Sequence, residues 1–130
     1  MDNNLDILHI IDTKQLDQRD YTRSLLDQAL QCNLISKIEF DRIISEIRSL
    51  LEDQTNALYG DEFFGFSQAV QTDFMTSITT SILFLISIEL KSCISPEYAV
   101  EMLKTKSLKS IFEKGKIKTQ RKKTSGFIVI

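Results

Sequence analysis

The run ITTSILFLISIEL, Ile78 to Leu90, constrains the fold most, because it is the most apolar stretch of the chain and carries one charge, Glu89. As a helix it would rise about 20 Å, less than the roughly 30 Å hydrocarbon core of a bilayer. Lengthening it upstream brings in the polar residues 71–73, which disfavours a membrane span. No turn signal interrupts residues 67–92, and a strand of that length would be exceptional. We therefore expect one long helix at the centre of a soluble fold.

Small polar side chains accompany the apolar ones along this helix. They permit close approach of a neighbouring helix, and the alternative is a polar groove for a ligand. The strip consists of Asp73, Ser77, Thr80, Ser81 and Ser87, with Thr72, Thr76 and Thr79 beside it. In either case a central position predicts that Ile82 and Leu85 are buried by other helices.

Local signals place shorter amphipathic helices on both sides. The starts are Asp20, the Ser36–Glu39 capping box, Ser67, Ser95 with Pro96, and Ser107, and the stops are Asn33 and, for the last helix, Gly115. We predict an all-α bundle of four to five helices around the central helix. Its parts are a loosely ordered arm over 1–19, a helical domain over 20–118, and a basic then apolar tail over 119–130.

Composition and charge indicate a cytoplasmic protein. The first dozen residues are acidic and lack the basic start of a signal peptide. Cys32 and Cys93 match no metal or redox spacing, so we interpret both as reduced core residues. Charge is unevenly distributed, because residues 104–130 carry a net +8 and the preceding 103 residues a net −10.

Catalytic patterns are missing from the sequence. His9 is the only histidine, so a metal site or a histidine-activated nucleophile has few partners. The two glycine-rich phosphate-binding motifs, G-x-x-x-x-G-K-[ST] and G-x-G-x-x-G, do not occur in the sequence. We therefore expect no enzyme, no cofactor and no metal.

The segment LYGDEFFGFSQ is a predicted loop of high aromatic density. Phe63, Phe64 and Phe66 either close the end of the helical core or form an exposed surface that contacts a partner. An exposed cluster would favour a dimer.

The basic tail offers the second candidate site. Its cations are Lys114, Lys116, Lys118, Arg121, Lys122 and Lys123, which would contact phosphates without sequence preference. The alternatives are a solvated tail, one folded back on the acidic body, or a weak membrane-surface contact through residues 127–130.

Four segments, taken in order, carry a resemblance to a known family. They are YTRSLLDQALQCNLIS, IISEIRSLL, FSQAVQTDFMTSITTSILFLISIELK and AVEMLKTKSLKSIFEKGK, within which Ser81-Ile82 and Leu90-Lys91 match the family's pattern. The chain resembles, over roughly 21–118, an uncharacterised family of helical proteins from low-GC Gram-positive bacteria, a domain of unknown function. The resemblance implies no activity and no catalytic residue. Since such proteins are longer, it implies an amino-terminal or truncated portion of a longer chain.

Two functions from different classes fit these patterns. The first is a non-enzymatic helical module that binds a protein partner or itself. The alternative is a nucleic-acid-binding accessory protein that uses the basic tail.

Overall fold

Five α-helices and one 3₁₀ turn make up the part of the chain that the structure, a computed structural model, describes: the backbone of residues 18–129 and the side chains of residues 21–120. No strand occurs within those residues. The helices are α1 (Gln18–Gln31), α2 (Lys37–Tyr59), α3 (Gln68–Lys91), α4 (Pro96–Thr105) and α5 (Leu108–Val129), and the 3₁₀ turn is Gly60–Gly65. The predicted all-α fold is confirmed, whereas the predicted arm over 1–19 and His9 lie outside the residues with described side chains.

Four of the five predicted helix starts are confirmed, at Ser36, Ser67, Ser95 and Ser107. The start predicted at Asp20 is wrong, because α1 begins at Gln18 and Asp20 lies inside it. The Ser36 hydroxyl accepts from the Glu39 backbone N–H at 3.0 Å, and the Glu39 carboxylate accepts from the Ser36 N–H at 2.8 Å. That second bond, to the ionised form, lowers the pKa of Glu39. The Ser67 hydroxyl caps α3 by accepting from the Val70 backbone N–H, and the Ser95 hydroxyl caps α4 by accepting from the Tyr98 N–H. At the end of α1, Asn33 has a φ of 61° and closes a Schellman motif, in which the Leu34 N–H donates to the Ala29 carbonyl.

Helix α3 is the centre of the bundle, because it contacts each of the other four helices. Ile82 is 1% exposed, as predicted, and Leu85 is half-buried. By length and composition α3 is also the one helix among the described residues that is long and apolar enough to cross a membrane. The core helix of a soluble protein meets the same criteria, and 39% of the most apolar stretch of α3 is buried in this fold.

A buried hydroxyl pair joins α1 to α3. The Thr22 and Ser87 hydroxyl oxygens are 2.6 Å apart, and the Ser87 hydroxyl also donates to the Leu83 carbonyl at 2.7 Å. Both side chains are fully buried, so each requires these partners. Ser87 is thus the member of the predicted polar strip that serves helix packing.

An ion pair on α2 binds the end of α4 and the start of α5. Arg42 and Glu46 pair with each other. Arg42 donates to the Leu103 carbonyl at the end of α4 at 2.8 Å, and Glu46 accepts from the Leu108 N–H at the start of α5 at 2.8 Å. Each charge complements the helix terminus that it contacts.

The prediction that Gly115 ends the last helix is wrong. Helix α5 continues through it to Val129, so the boundary drawn at residue 119 lies inside a helix. Gly115 is buried where α5 crosses α3, and a Cβ atom built there would lie 2.8 Å from the Leu85 carbonyl carbon and closer still to its oxygen. The missing side chain allows the close crossing rather than a helix stop.

Candidate protein-interaction surface

One end of the bundle is an antiparallel hairpin that α1 and α5 cover only in part. We call it the hairpin end, residues 51–77: the last turns of α2, the 3₁₀ turn and the first turns of α3. Gly60, at a φ of 56°, ends α2 and donates its N–H to the Asn56 carbonyl. None of residues 68–77 is buried, although they belong to the central helix. The hairpin end therefore projects from the core with its own surface exposed.

Aromatic stacking holds the hairpin end together. Tyr59 on α2 stacks on Phe74 on α3, with ring centroids 4.7 Å apart and planes at 8°. Phe66 meets both rings edge-on, at 5.8 Å from Tyr59 and 5.3 Å from Phe74. Such contacts contribute about 0.5–1.5 kcal/mol each beyond the area that they bury. The cluster fixes the 3₁₀ turn against α3.

The three predicted contact phenylalanines come together, but they divide between the two roles considered for them. Phe63 is buried and Phe66 is half-buried, so both belong to the core of the hairpin end. Phe64 is 77% exposed. The predicted loop is a 3₁₀ turn, and its geometry turns adjacent side chains in different directions. Spacing alone did not distinguish Phe64 from its neighbours or indicate Tyr59 and Phe74 as their partners.

An open groove of about 620 Å³ lies between α2, the 3₁₀ turn and α3. We call it the tip groove. Its walls are Arg48, Leu51, Glu52, Thr55, Asn56, Gly60, Phe63, Phe64 and Met75. Val70, which is 37% exposed, also lies within the hairpin end, whereas Leu58, 63% exposed, lines a separate groove of about 350 Å³ with Phe112 and Lys116 of α5. Exposed apolar side chains concentrated at one place indicate a binding surface.

The predicted polar strip contributes to a second, shallower groove beside the first. This groove of about 400 Å³ is lined by Arg23, Leu51, Thr72, Met75, Thr76, Thr79 and Thr80. The Thr72 and Thr80 hydroxyls donate to the carbonyls four residues back, at 3.0 and 2.9 Å. Three further members of the strip, Asp73, Ser77 and Ser81, do not line this groove and are exposed. Close helix packing therefore does not explain why these three side chains are small and polar.

The hairpin end is strongly acidic. No lysine or arginine occurs between Arg48 and Lys91. The hairpin end carries five carboxylates over the same stretch: Glu52, Asp53, Asp61, Glu62 and Asp73. Asp61 and Glu62 are exposed in the 3₁₀ turn next to Phe64. The exposed apolar surface thus has a mainly negative border, to which Arg48 and Arg23 add the two cations that line the tip groove and the groove beside it. A border of this kind repels acidic partners and attracts basic ones.

The predicted basic site is less uniform than the sequence indicates. Lys114 is exposed, Lys116 lies 3.9 Å from the Glu113 carboxylate and over the Phe112 ring, and Lys118 pairs with Glu89. The remaining cations, Arg121, Lys122 and Lys123, belong to α5, but they lie outside the residues whose side chains the structure describes. The cations with described side chains therefore form no single phosphate-binding face.

Glu89, the one charged residue in the apolar run, is 7% exposed, and its carboxylate accepts a hydrogen bond from the Lys118 ammonium group. Lys118 also donates to the Ser92 hydroxyl at 2.7 Å. Burial, followed by the nearby Glu89 charge, raises the pKa of the Cys93 thiol, which keeps it protonated. Across the part of the chain with described side chains, no three His, Cys, Asp or Glu groups converge as metal ligands.

Comparison with known protein families matches residues 50–126 to a family of unknown function, DUF6179. The chain belongs to this family. The match confirms the predicted domain of unknown function, and it covers the hairpin end together with α3, α4 and most of α5. No curated protein and no solved structure matches the chain.

Proposed function

We propose that this DUF6179 protein is a non-enzymatic helical interaction module that binds a protein partner through its hairpin end. The observation that carries the proposal is the tip groove, where Phe64 is 77% exposed beside Met75, which is 39% exposed. Aromatic and methionine side chains of this kind are enriched in the cores of protein interfaces. The stacked cluster beneath holds them in place, so binding requires little ordering of the surface.

The charge around the groove favours a protein over a lipid surface. Anionic lipid would repel Asp61 and Glu62, which flank Phe64. The two free cysteines, Cys32 and Cys93, support a cytoplasmic location. The family resemblance supports an origin in low-GC Gram-positive bacteria. The nucleic-acid alternative has less support, because Glu89 and Glu113 pair with two of its six cations.

Site-specific photo-crosslinking in the native host tests the proposal. A benzophenone amino acid at position 64 is expected to give discrete protein adducts, identified by mass spectrometry. Adding Met75→Ser and Leu51→Ser is expected to abolish them. The matched control is the same amino acid at Ile94, which is 93% exposed but lies outside the hairpin end. An absence of adducts at position 64, or the same adducts at both positions, would contradict the proposal.

A further inference from the structure

The hairpin end lies at the start of α3, whereas the last turns of α5, residues 121–129, follow the place where α5 reaches the end of α3. We call these two places the acidic pole and the basic pole. Gly115 lies at Leu85, and Lys118 lies at Glu89, so α3 and α5 run in the same direction. Beyond Lys118, the backbone of α5 therefore continues past the end of α3. The α3 axis rises about 24 Å between Met75 and its last residue. We call residues 121–129 of α5 the basic segment. It thus lies far from the tip groove of its own copy, whereas Lys116 lines a separate groove with Leu58, Tyr59 and Phe74.

The two poles are complementary in charge. The hairpin end carries five carboxylates, and Arg48 is the one cation among the residues that line the tip groove, whereas the basic segment carries Arg121, Lys122 and Lys123 and no carboxylate. They are also complementary in apolar character. The tip groove presents Phe64 and Met75 to solvent, and the sequence of the basic segment ends in Phe127, Ile128 and Val129.

We propose that the tip groove binds the basic segment of a second copy of this chain. In this contact residues 121–123 lie against Asp61 and Glu62, and residues 127–129 enter the groove. The proposal rests on the proposed function, since it names the partner of that same surface. Because the two surfaces are different, the contact is head-to-tail and produces growing chains or closed rings rather than a single two-fold dimer.

Sedimentation velocity and light scattering of the full chain test the assembly directly. At low ionic strength the weight-average mass is expected to rise with protein concentration to about twofold or more, and to fall back towards the monomer as salt screens the charges. Reversing the acidic pole with Asp61→Lys and Glu62→Lys is expected to leave a monomer. Reversing the basic pole with Lys122→Glu and Lys123→Glu is expected to do the same.

Charge exchange provides the decisive comparison. An equimolar mixture of the two reversed variants is expected to associate again, because each variant supplies the pole that the other lacks. A single chain with all four changes is expected to self-associate as the parent does. The matched control reverses two exposed carboxylates that belong to neither the hairpin end nor the basic segment, Asp27→Lys and Glu97→Lys, and is expected to leave association unchanged. Circular dichroism of every variant checks that the helices are retained.

The outcomes separate this inference from the proposed function. A chain that stays monomeric at low salt, or association that neither reversal weakens, overturns the second-copy contact. Failure of the four-change chain to associate also overturns it. If the photo-crosslinker at position 64 captures a different protein, the interaction surface stands and the second-copy partner is excluded. If it captures no protein, both proposals are wrong.

Discussion

At the scale of single residues, Gly115 is the position where the smallest change has a clear physical consequence. Gly115→Ala would favour a helix locally by about 1 kcal/mol, but its methyl group would overlap the Leu85 carbonyl. Backbone atoms cannot rotate aside, so α5 must shift from α3. Overpacking of this kind costs about 1–3 kcal/mol. We therefore expect a lower free energy of unfolding, measured by urea denaturation followed by circular dichroism.

Gly65→Ala is the matched control for this substitution. A Cβ atom at Gly65 would meet nothing within 4 Å, so the change is expected to alter the free energy of unfolding by less than about 0.5 kcal/mol. Equal stability of the parent and Gly115→Ala would show that α5 does not cross α3 at this contact.

Local chemistry explains which residue roles the sequence predicted. A cap such as Ser36 with Glu39 depends on atoms within one turn, so its residues identify it without knowledge of the fold. A glycine such as Gly115 looks the same in the sequence whether it ends a helix or allows a second helix to pack closely against it. Only the approach of Leu85, thirty residues away, decides between the two. The exposure of Phe64 and the burial of Phe63 likewise depend on where α3 lies.

At the scale of elements, the Glu89–Lys118 pair joins the ends of α3 and α5. The Glu89 side chain is 9% exposed and that of Lys118 42%, so removing the lysine leaves a carboxylate with little water. Breaking a fully buried pair costs about 3–5 kcal/mol, and the exposure of Lys118 reduces this. We expect Lys118→Met to lower the free energy of unfolding by about 1–2 kcal/mol in urea denaturation.

A double-mutant cycle isolates the pair from other effects of the substitution. Adding Glu89→Gln removes the charge that the lysine no longer neutralises, so the double variant is expected to be more stable than Lys118→Met alone. Lys114→Met, an exposed lysine one turn earlier on α5, serves as the control and is expected to change stability by less than about 0.5 kcal/mol. Additive losses in the cycle would contradict a direct pair. The sequence did not reveal this contact, because it joins residues far apart in the chain.

At the scale of the whole molecule, folding and association depend on different parts of α5. Gly115 and Lys118 of α5 lie against α3, and the residues beyond Gln120 supply the charge proposed for the second copy. Removing residues 121–130 is therefore expected to change the free energy of unfolding by less than about 1 kcal/mol. The same truncation is expected to abolish the rise of the weight-average mass with protein concentration. Ending the chain after Lys114 also removes Gly115 and Lys118 and is expected to weaken folding itself. Urea denaturation and sedimentation of both shortened chains distinguish the two effects. If a chain of residues 1–120 fails to fold, the basic segment is part of the stabilising core of its own copy.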